Sequence, residues 1–488
     1  MATKQPHIVI FNPDSYRGDV LGHLGNAGAV TPNVDDMVRQ GGVSYANAFA
    51  QNPWCTPSRC SFMTGLYPHV QGHRSMKHML RSHEPNVLQV LKREGYKVWW
   101  GGKNDLISVK NHEDFYIHVT IKNRATPARG RRTSEPTSMD DPRYPMYYRG
   151  VFEGQGEDWP FVDSDCMHVR DAVDHIAADP LEQPMCMFLP LGNPHPAYAV
   201  EKDFYDLIDP DKLPPRLGVP PVDHPVMNKQ REIFKSHCLT DDHWREIKHV
   251  YYAMCAKIDL LFGQVVDALK AKGIYDDTLI IFMSDHGDLT GDLDLPEKPV
   301  VSMHDGLLRV PFVIKPPAGV DLKAGNRMSP VELVDMCPTI YDLLDIKPGY
   351  DMQGQSLRPS LAGQDSPSKT CVFAELGSRP GEDAFHDQDV KGWKPTDFYY
   401  QKQLSFHDRF VAGAYASMAR TTDFKYIRRR YEAIEELYDL RKDPGELHNV
   451  AGQPAYAAIE ATMKDHLLDH LMHTVDTLPH DIDPRNIN

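Results

Sequence analysis

The sequence predicts an α/β fold: a large, mostly parallel sheet flanked by helices, with a smaller C-terminal subdomain built on a short antiparallel sheet. Short apolar runs bounded by turn or charged residues read as strands covered on both faces. Helical periodicity fills the intervals, and strands alternating with helices indicate a doubly wound sheet. After about residue 365 the pattern changes to shorter strand-like segments. With 488 residues, the chain is long enough for one large α/β unit and a companion.

In chain order the strand candidates are "HIVIF" (7–11), "KVWWGG" (97–102), "PMCMFLPL" (184–191), "TLIIFMSD" (278–285) and "VPFVIKP" (310–316), all read as buried parallel strands. Between them, "EPNVLQVLKREG" sets Val87, Leu88, Val90 and Leu91 on an apolar stripe and stops at Gly95, a C-cap. The run "HWREIKHVYYAMCAKIDLLFGQVVDALKAKG" is a long periodic helix ending at Gly273. "SPVELVDMCPTIYDLLDI" opens on Ser329-Pro330, which predicts an N-cap and first helical position. Residues 105–160 and 200–240, rich in Pro, Asp and Arg, read as long excursions of the kind that line a site. The division predicted is a catalytic α/β domain over 1–365 and a subdomain over 366–488, where "TCVFAEL", "YASMART", "FKYIRRR" and "EELYDLRKDPGELHNVAG" suggest antiparallel strands and then a helix.

Hydrophobic residues make up 41% and charged residues 25%, as in an ordinary globular protein. No run of about 18 apolar residues is present, so no membrane span is expected. A net charge of −15 argues against nucleic acid as a partner. It leaves room for a small anionic substrate, because a local basic pocket overrides a screened global charge. The eight cysteines lack CxxC spacing, which suits reduced thiols. The start "MATKQPHIVIFNPDS" reads as a first buried strand, not a signal peptide, so the expected location is cytoplasmic. Homo-oligomerisation is left open.

Strand ends are where α/β folds place ligands. The first strand ends at Asp14, and the "TLIIFMSD" strand ends at Asp285-His286. Two carboxylates and an imidazole are metal-ligand types. "NPWCTPSRCS" adds two cysteines, Cys55 and Cys60, around a Thr-Pro-Ser-Arg core.

Cys55-Thr56-Pro57-Ser58-Arg59 resembles the sulfatase signature Cys-x-Pro-Ser-Arg, whose cysteine is converted to formylglycine by a maturation enzyme. "PHIVIFNPDSYRGD", "SFMTGLYPHVQG", "EGYKVWWGGKNDL", "LGNPHPAY", "IFMSDHGD" and "ELYDLRKDPGELHNVA" resemble further segments of that family, in the same order. The resemblance spans nearly the whole chain. It implies the alkaline-phosphatase-like fold and hydrolysis of sulfate monoesters by a metal-bound formylglycine hydrate. It carries over Asp14, Cys55, Asp285 and His286 as ligands of one divalent ion, and Arg59, Lys103 and Lys298 as cations holding the transferred group. His195 becomes the acid that protonates the leaving alkoxide. Cys60 is left as a small buried hydrophobe.

Three positions depart from the family pattern. Ser15 stands where a second acid is usual, His286 where Asn is common, and Asn104-Asp105 where Trp-His follows the lysine. Fewer hard oxygens plus an imidazole tilt the expected ion from calcium towards manganese or zinc. With that histidine absent, Asp105, His73, His78 and His304 are the candidate bases for breaking the hemiacetal. A single Asp at the first strand and Asp-His at the second also occur in phosphonate monoester hydrolases, the alternative reading. A catalytically dead binding protein on this scaffold is a third.

Overall fold

The computed structural model describes residues 5–108, 115, 118–119, 140–152, 163–364, 369–377, 392–397, 399–408, 415–430 and 434–477. Its main sheet has eight strands: β1 (His7–Asp14), β2 (Val43–Tyr45), β3 (Lys97–Trp100), β4 (His118–Val119), β5 (Met185–Pro194), β6 (Thr278–Met283), β7 (Phe312–Lys315) and β8 (Gly325–Arg327). They lie in the order β8-β2-β7-β6-β1-β5-β3-β4. The helices that matter for the site are α1 (Cys55–Thr64), α2 (Val87–Arg93), α3 (Ser164–Ala178), α4 (Asp241–Ala271), α5 (Met336–Leu343), α6 (Tyr400–His407) and α7 (Ala457–Thr474).

Every residue of β1 is buried, and its side chains divide between two cores. Val9 and Phe11 pack with α3 and α4 through Val169, Val250 and Phe262. Ile8 and Ile10 pack with α1, α2 and α5 through Phe62, Leu88 and Ile340. The period-2 alternation of a strand thus produces three layers, helix, sheet and helix. Each large aliphatic side chain so buried contributes about 1.5–3 kcal/mol. Cys60 is fully buried in the second core, as expected for a packing thiol, and all eight cysteines are free.

Two local expectations need correction. "VPFVIKP" forms β7, but β7 runs antiparallel to both β6 and β2. Residues 284–311 hold only short helical turns, Asp292–Asp294 and Asp305–Leu308, and the chain returns from the end of β6 to pair in the opposite sense. Ser329-Pro330 does not start a helix. Val331–Glu332 pairs in parallel with Ala48–Phe49, Leu333–Asp335 forms a 3-10 turn, and α5 begins only at Met336. The Glu332 carboxylate explains this, for it accepts from Tyr67 Oη, Lys369 Nζ and Phe373 N, bonds that hold it extended.

The other long elements follow the sequence pattern. Asn86 caps α2 by accepting from Gln89 N, and Gly95 follows with φ +88°. Thr240 caps α4, and Gly273 stands beyond its end with φ +74°. β9 (Val372–Leu376), β10 (Ala416–Arg420), β11 (Phe424–Arg429) and β12 (Glu435–Asp439) form an antiparallel sheet in chain order, with α7 packed on it. Of the first predicted excursion, residues 109–114, 116–117, 120–139 and 153–160 lie outside the described residues. No helix among the described residues is long and apolar enough to cross a membrane.

Candidate active site

β1 and β6 pair in parallel, with Phe11 opposite Phe282, so their carboxyl ends emerge side by side. Asp14 closes β1 and Asp285-His286 follow β6, all three fully buried. Gly287 must be glycine, because a Cβ there would stand 2.1 Å from Gly306 O. That close approach lets Gly287 N donate to Leu307 O and seats the Asp-His pair.

Cys55 is the first residue of α1, a helix buried along its whole length. Ser58 Oγ donates to Asp285 O at 2.7 Å and so ties the helix to the end of β6. Arg59 Nε donates to Asp285 Oδ2 and Arg59 Nη2 to Asp14 Oδ2, each at 2.8 Å. The signature therefore encodes a bridge between two strand tips, with the cysteine held above it. Cys55 Sγ lies 3.2 Å from His286 Nε2 and 3.6 Å from Asp14 Oδ1.

Lys103 follows Gly102, whose φ is +146° and where a Cβ would overlap Pro190 O. Its Nζ donates to Asp14 Oδ2 at 2.7 Å, lies 3.8 Å from Cys55 Sγ, and pairs with Asp105 at 2.9 Å. Ser15 takes the place of a second acid. With φ +67°, it donates its hydroxyl to Asp14 Oδ1 and its N–H to Asp285 Oδ1.

Ligand atoms of Asp14, Cys55, Asp285 and His286 all lie within 4.8 Å of one another, the single such group among the described residues. Two carboxylates, an imidazole and a sulfur suit a divalent ion. The histidine is prepared for the role: Nδ1 donates to Gly287 O at 2.8 Å, leaving the Nε2 lone pair towards the cluster. Burial, then the Lys298 ammonium, push His286 down to about 4, so it is neutral at pH 7. Burial would raise Asp14, but Lys103, His195 and Arg59 hold it well below the carboxylate range. The Cys55 thiol is pushed far up by burial and by Asp14, which makes the unmodified side chain a poor thiolate nucleophile.

His195 sits on a loop after Gly192-Asn193, whose backbone N–H groups both donate to Asp165. His195 Nδ1 lies 2.7 Å from Pro196 O, and Nε2 lies 3.2 Å from Glu297 Oε1. Lys298 Nζ approaches the same oxygen at 3.2 Å. Beside His195 and Lys103 opens a cavity of about 390 Å³ whose lining includes Phe152, Glu201, Lys257 and Tyr399.

The four expected ligands and Arg59 and Lys103 thus come together, and His195 meets Lys298 through Glu297. The three histidines considered as bases have other partners: His73 bonds His78 O and pairs with Glu84, His78 meets Ser75 Oγ, and His304 caps a turn at Gly306. Sequence reasoning missed Glu297, although it directly precedes Lys298. It also missed Tyr399 and Lys402, for which "YYQKQL" offers no local signal.

A sheet of this topology, with buried acids at neighbouring strand tips and a cysteine on the helix beside them, has the alkaline-phosphatase-like fold. The solved phosphonate monoester hydrolase of Agrobacterium radiobacter superimposes with a TM-score of 0.74 at 23% identity, over 96% of each chain. In sequence, the chain is 26% identical to arylsulfatase K of Homo sapiens over 98% of its own length and 83% of that protein. It is 25% identical to the choline-sulfatase of Rhizobium meliloti (strain 1021), covering 95% and 86%. A sulfatase family model matches residues 6–346, and one for the C-terminal part of N-sulphoglucosamine sulphohydrolase matches residues 375–473. The chain belongs to the sulfatase family.

Proposed function

We propose that this protein hydrolyses sulfate monoesters after a maturation enzyme converts Cys55 to formylglycine. The observation that carries the reading is the position of Cys55 Sγ, 3.2 Å from His286 Nε2 and 3.6 Å from Asp14 Oδ1. That sulfur stands where the oxygens of the hydrated aldehyde would be. The hydrate supplies a hydroxyl nucleophile, and its second hydroxyl allows sulfate to be released by re-forming the aldehyde. A divalent ion held by Asp14, Asp285, His286 and residue 55 would supply Lewis acidity.

The chain's own residues do the rest. Arg59 fixes both carboxylates, and its buried Nη1 has no hydrogen-bond partner, a donor left for an anionic oxygen. Lys103 and Lys298 add positive charge for the sulfuryl oxygens. As the S–O bond to the leaving group breaks, its electron pair stays on that oxygen and the His195 imidazolium gives it a proton. The cavity of about 390 Å³ beside His195 leaves room for the alcohol part.

Elemental analysis is expected to find close to one divalent ion per chain, with manganese or zinc favoured over calcium by the imidazole. His286→Ala should lose it. Full occupancy in that variant would remove His286 from the site.

The alternative, phosphonate monoester hydrolysis, draws on Asp14-Ser15 and Asp285-His286 in place of richer carboxylate pairs. Comparing kcat/KM for an aryl sulfate and an aryl phenylphosphonate decides between them. The sulfate is expected to be preferred. A preference of about 100-fold for the phosphonate, about 2.7 kcal/mol, would reverse the assignment.

A further inference from the structure

Behind His195 lies a second layer of charge that the catalytic scheme does not use. Glu297, fully buried, accepts from Lys402 Nζ at 2.5 Å and 2.7 Å through its two oxygens. It also faces His195 Nε2 and Lys298 Nζ, each at 3.2 Å from Oε1. One carboxylate therefore serves three basic groups. Its backbone N–H donates to Tyr198 Oη, and φ at Glu297 is +52°, so it is held from the main chain as well.

Lys402 arrives from a distant part of the chain. It projects from α6, and its ammonium sits 4.9 Å from the ring of Trp54, the residue before Cys55, and 5.5 Å from that of Tyr399. Burial pushes Lys402 down to about 8, with Lys298 adding to the effect and Glu297 opposing it.

The geometry at His195 defines what this layer does. Nδ1 faces a carbonyl oxygen and Nε2 faces a carboxylate oxygen, and neither of those partners can donate. Both contacts are satisfied only when both nitrogens carry protons, which is the form a general acid needs. Against this, burial and the ammonium groups of Lys298 and Lys103 push His195 down, with Glu297 and Asp14 pulling it back. Among the described residues, Asp288 and the hydroxyls of Tyr147, Tyr198 and Tyr399 also feel the charge of Glu297. Glu297 is the carboxylate in contact with the imidazole.

We propose that Glu297 and Lys402 are positioning residues that set the proton affinity of His195: Glu297 raises that affinity and fixes the ring, and Lys402 limits how strongly it does so. The inference rests on His195 being the acid of the sulfate-ester reaction. It assigns opposite signs to two neighbours, which a purely structural role would not give. Removing the Glu297 charge lowers the affinity of His195 for its proton. Removing the Lys402 charge raises it.

The test is a titration of His195 by NMR in imidazole-labelled full-length protein, in wild type, Glu297→Gln and Lys402→Met, assigned with His195→Gln. Glu297→Gln is expected to move the midpoint down by at least about half a pH unit, and Lys402→Met to move it up by a similar amount. Lys402→Arg should restore the wild-type midpoint. The alkaline limb of the kcat–pH profile should move in the same directions. Glu297→Gln should also slow a sulfate ester with a poor leaving group by about 100-fold, but an activated aryl sulfate by far less, since only the former needs the acid. Unchanged midpoints, or shifts of the same sign in both variants, overturn the proposal. If Glu297→Gln does not fold, the Lys402 pair of variants decides alone. Shifts of the expected signs without sulfate turnover would uphold the charge assignment and refute the substrate reading instead.

Discussion

Cys55→Ala is expected to lower kcat/KM for an aryl sulfate by about 10⁴-fold or more, about 5 kcal/mol of transition-state stabilisation. The fold should survive. The side chain is buried, and its polar contacts are sulfur contacts of 3.2–3.8 Å to His286, Asp14 and Lys103, weak enough that losing one atom should cost about 1 kcal/mol. Thermal unfolding alongside kinetics separates the two effects. Peptide mass analysis of active protein should show residue 55 with its sulfur replaced by oxygen. A fully active preparation carrying an intact thiol would end the formylglycine reading.

Arg59→Met should have the second-largest effect, in stability as well as rate. Arg59 lies wholly inside the protein and bridges Asp14 and Asp285, both equally buried. In metal-free protein its loss leaves Asp285 without this cation and Asp14 with Lys103 as its ion-pair partner. Breaking such a buried pair costs about 3–5 kcal/mol. A divalent ion binding the freed carboxylates stabilises by mass action, by about 2.7 kcal/mol at 100 times Kd. Denaturant unfolding with and without chelator should therefore show a large defect that added ion partly repairs. Activity should fall by about 10²–10³-fold even with the ion present, because the donor to the sulfuryl oxygens is gone. Equal stability of the variant and wild type in chelator would contradict the bridging role.

What could be read in advance follows from how local each signal is. Asp14, Asp285 and His286 stand at the ends of short apolar runs, where strand periodicity and turn chemistry are encoded within a few residues. Cys55 and Arg59 are singled out by the resemblance to the Cys-x-Pro-Ser-Arg signature, and the structure sets them on one helical turn. Lys103 is legible only through the resemblance of its segment to the family's, since a single lysine after a strand carries no signal of its own. Direction and partnership are non-local. β7 opposes β6 because of how residues 284–311 return, which its own apolar residues cannot express. The helix expected at Ser329-Pro330 gives way to a strand because Glu332 is bonded to Lys369 and Phe373. Glu297 and Lys402 carry no local signal, because their pairing exists only where folding brings α6 against Trp54.

The burial of α1 also constrains timing. All ten of its residues are enclosed, and Cys55 is only 1% exposed. On the reading proposed above, a maturation enzyme could not reach that side chain in the finished molecule. It would have to meet the segment before α1 docks between the strand tips, so folding and modification run as competitors. A chain that folds first is sealed in its inert form, and the specific activity of any preparation becomes a record of which process won.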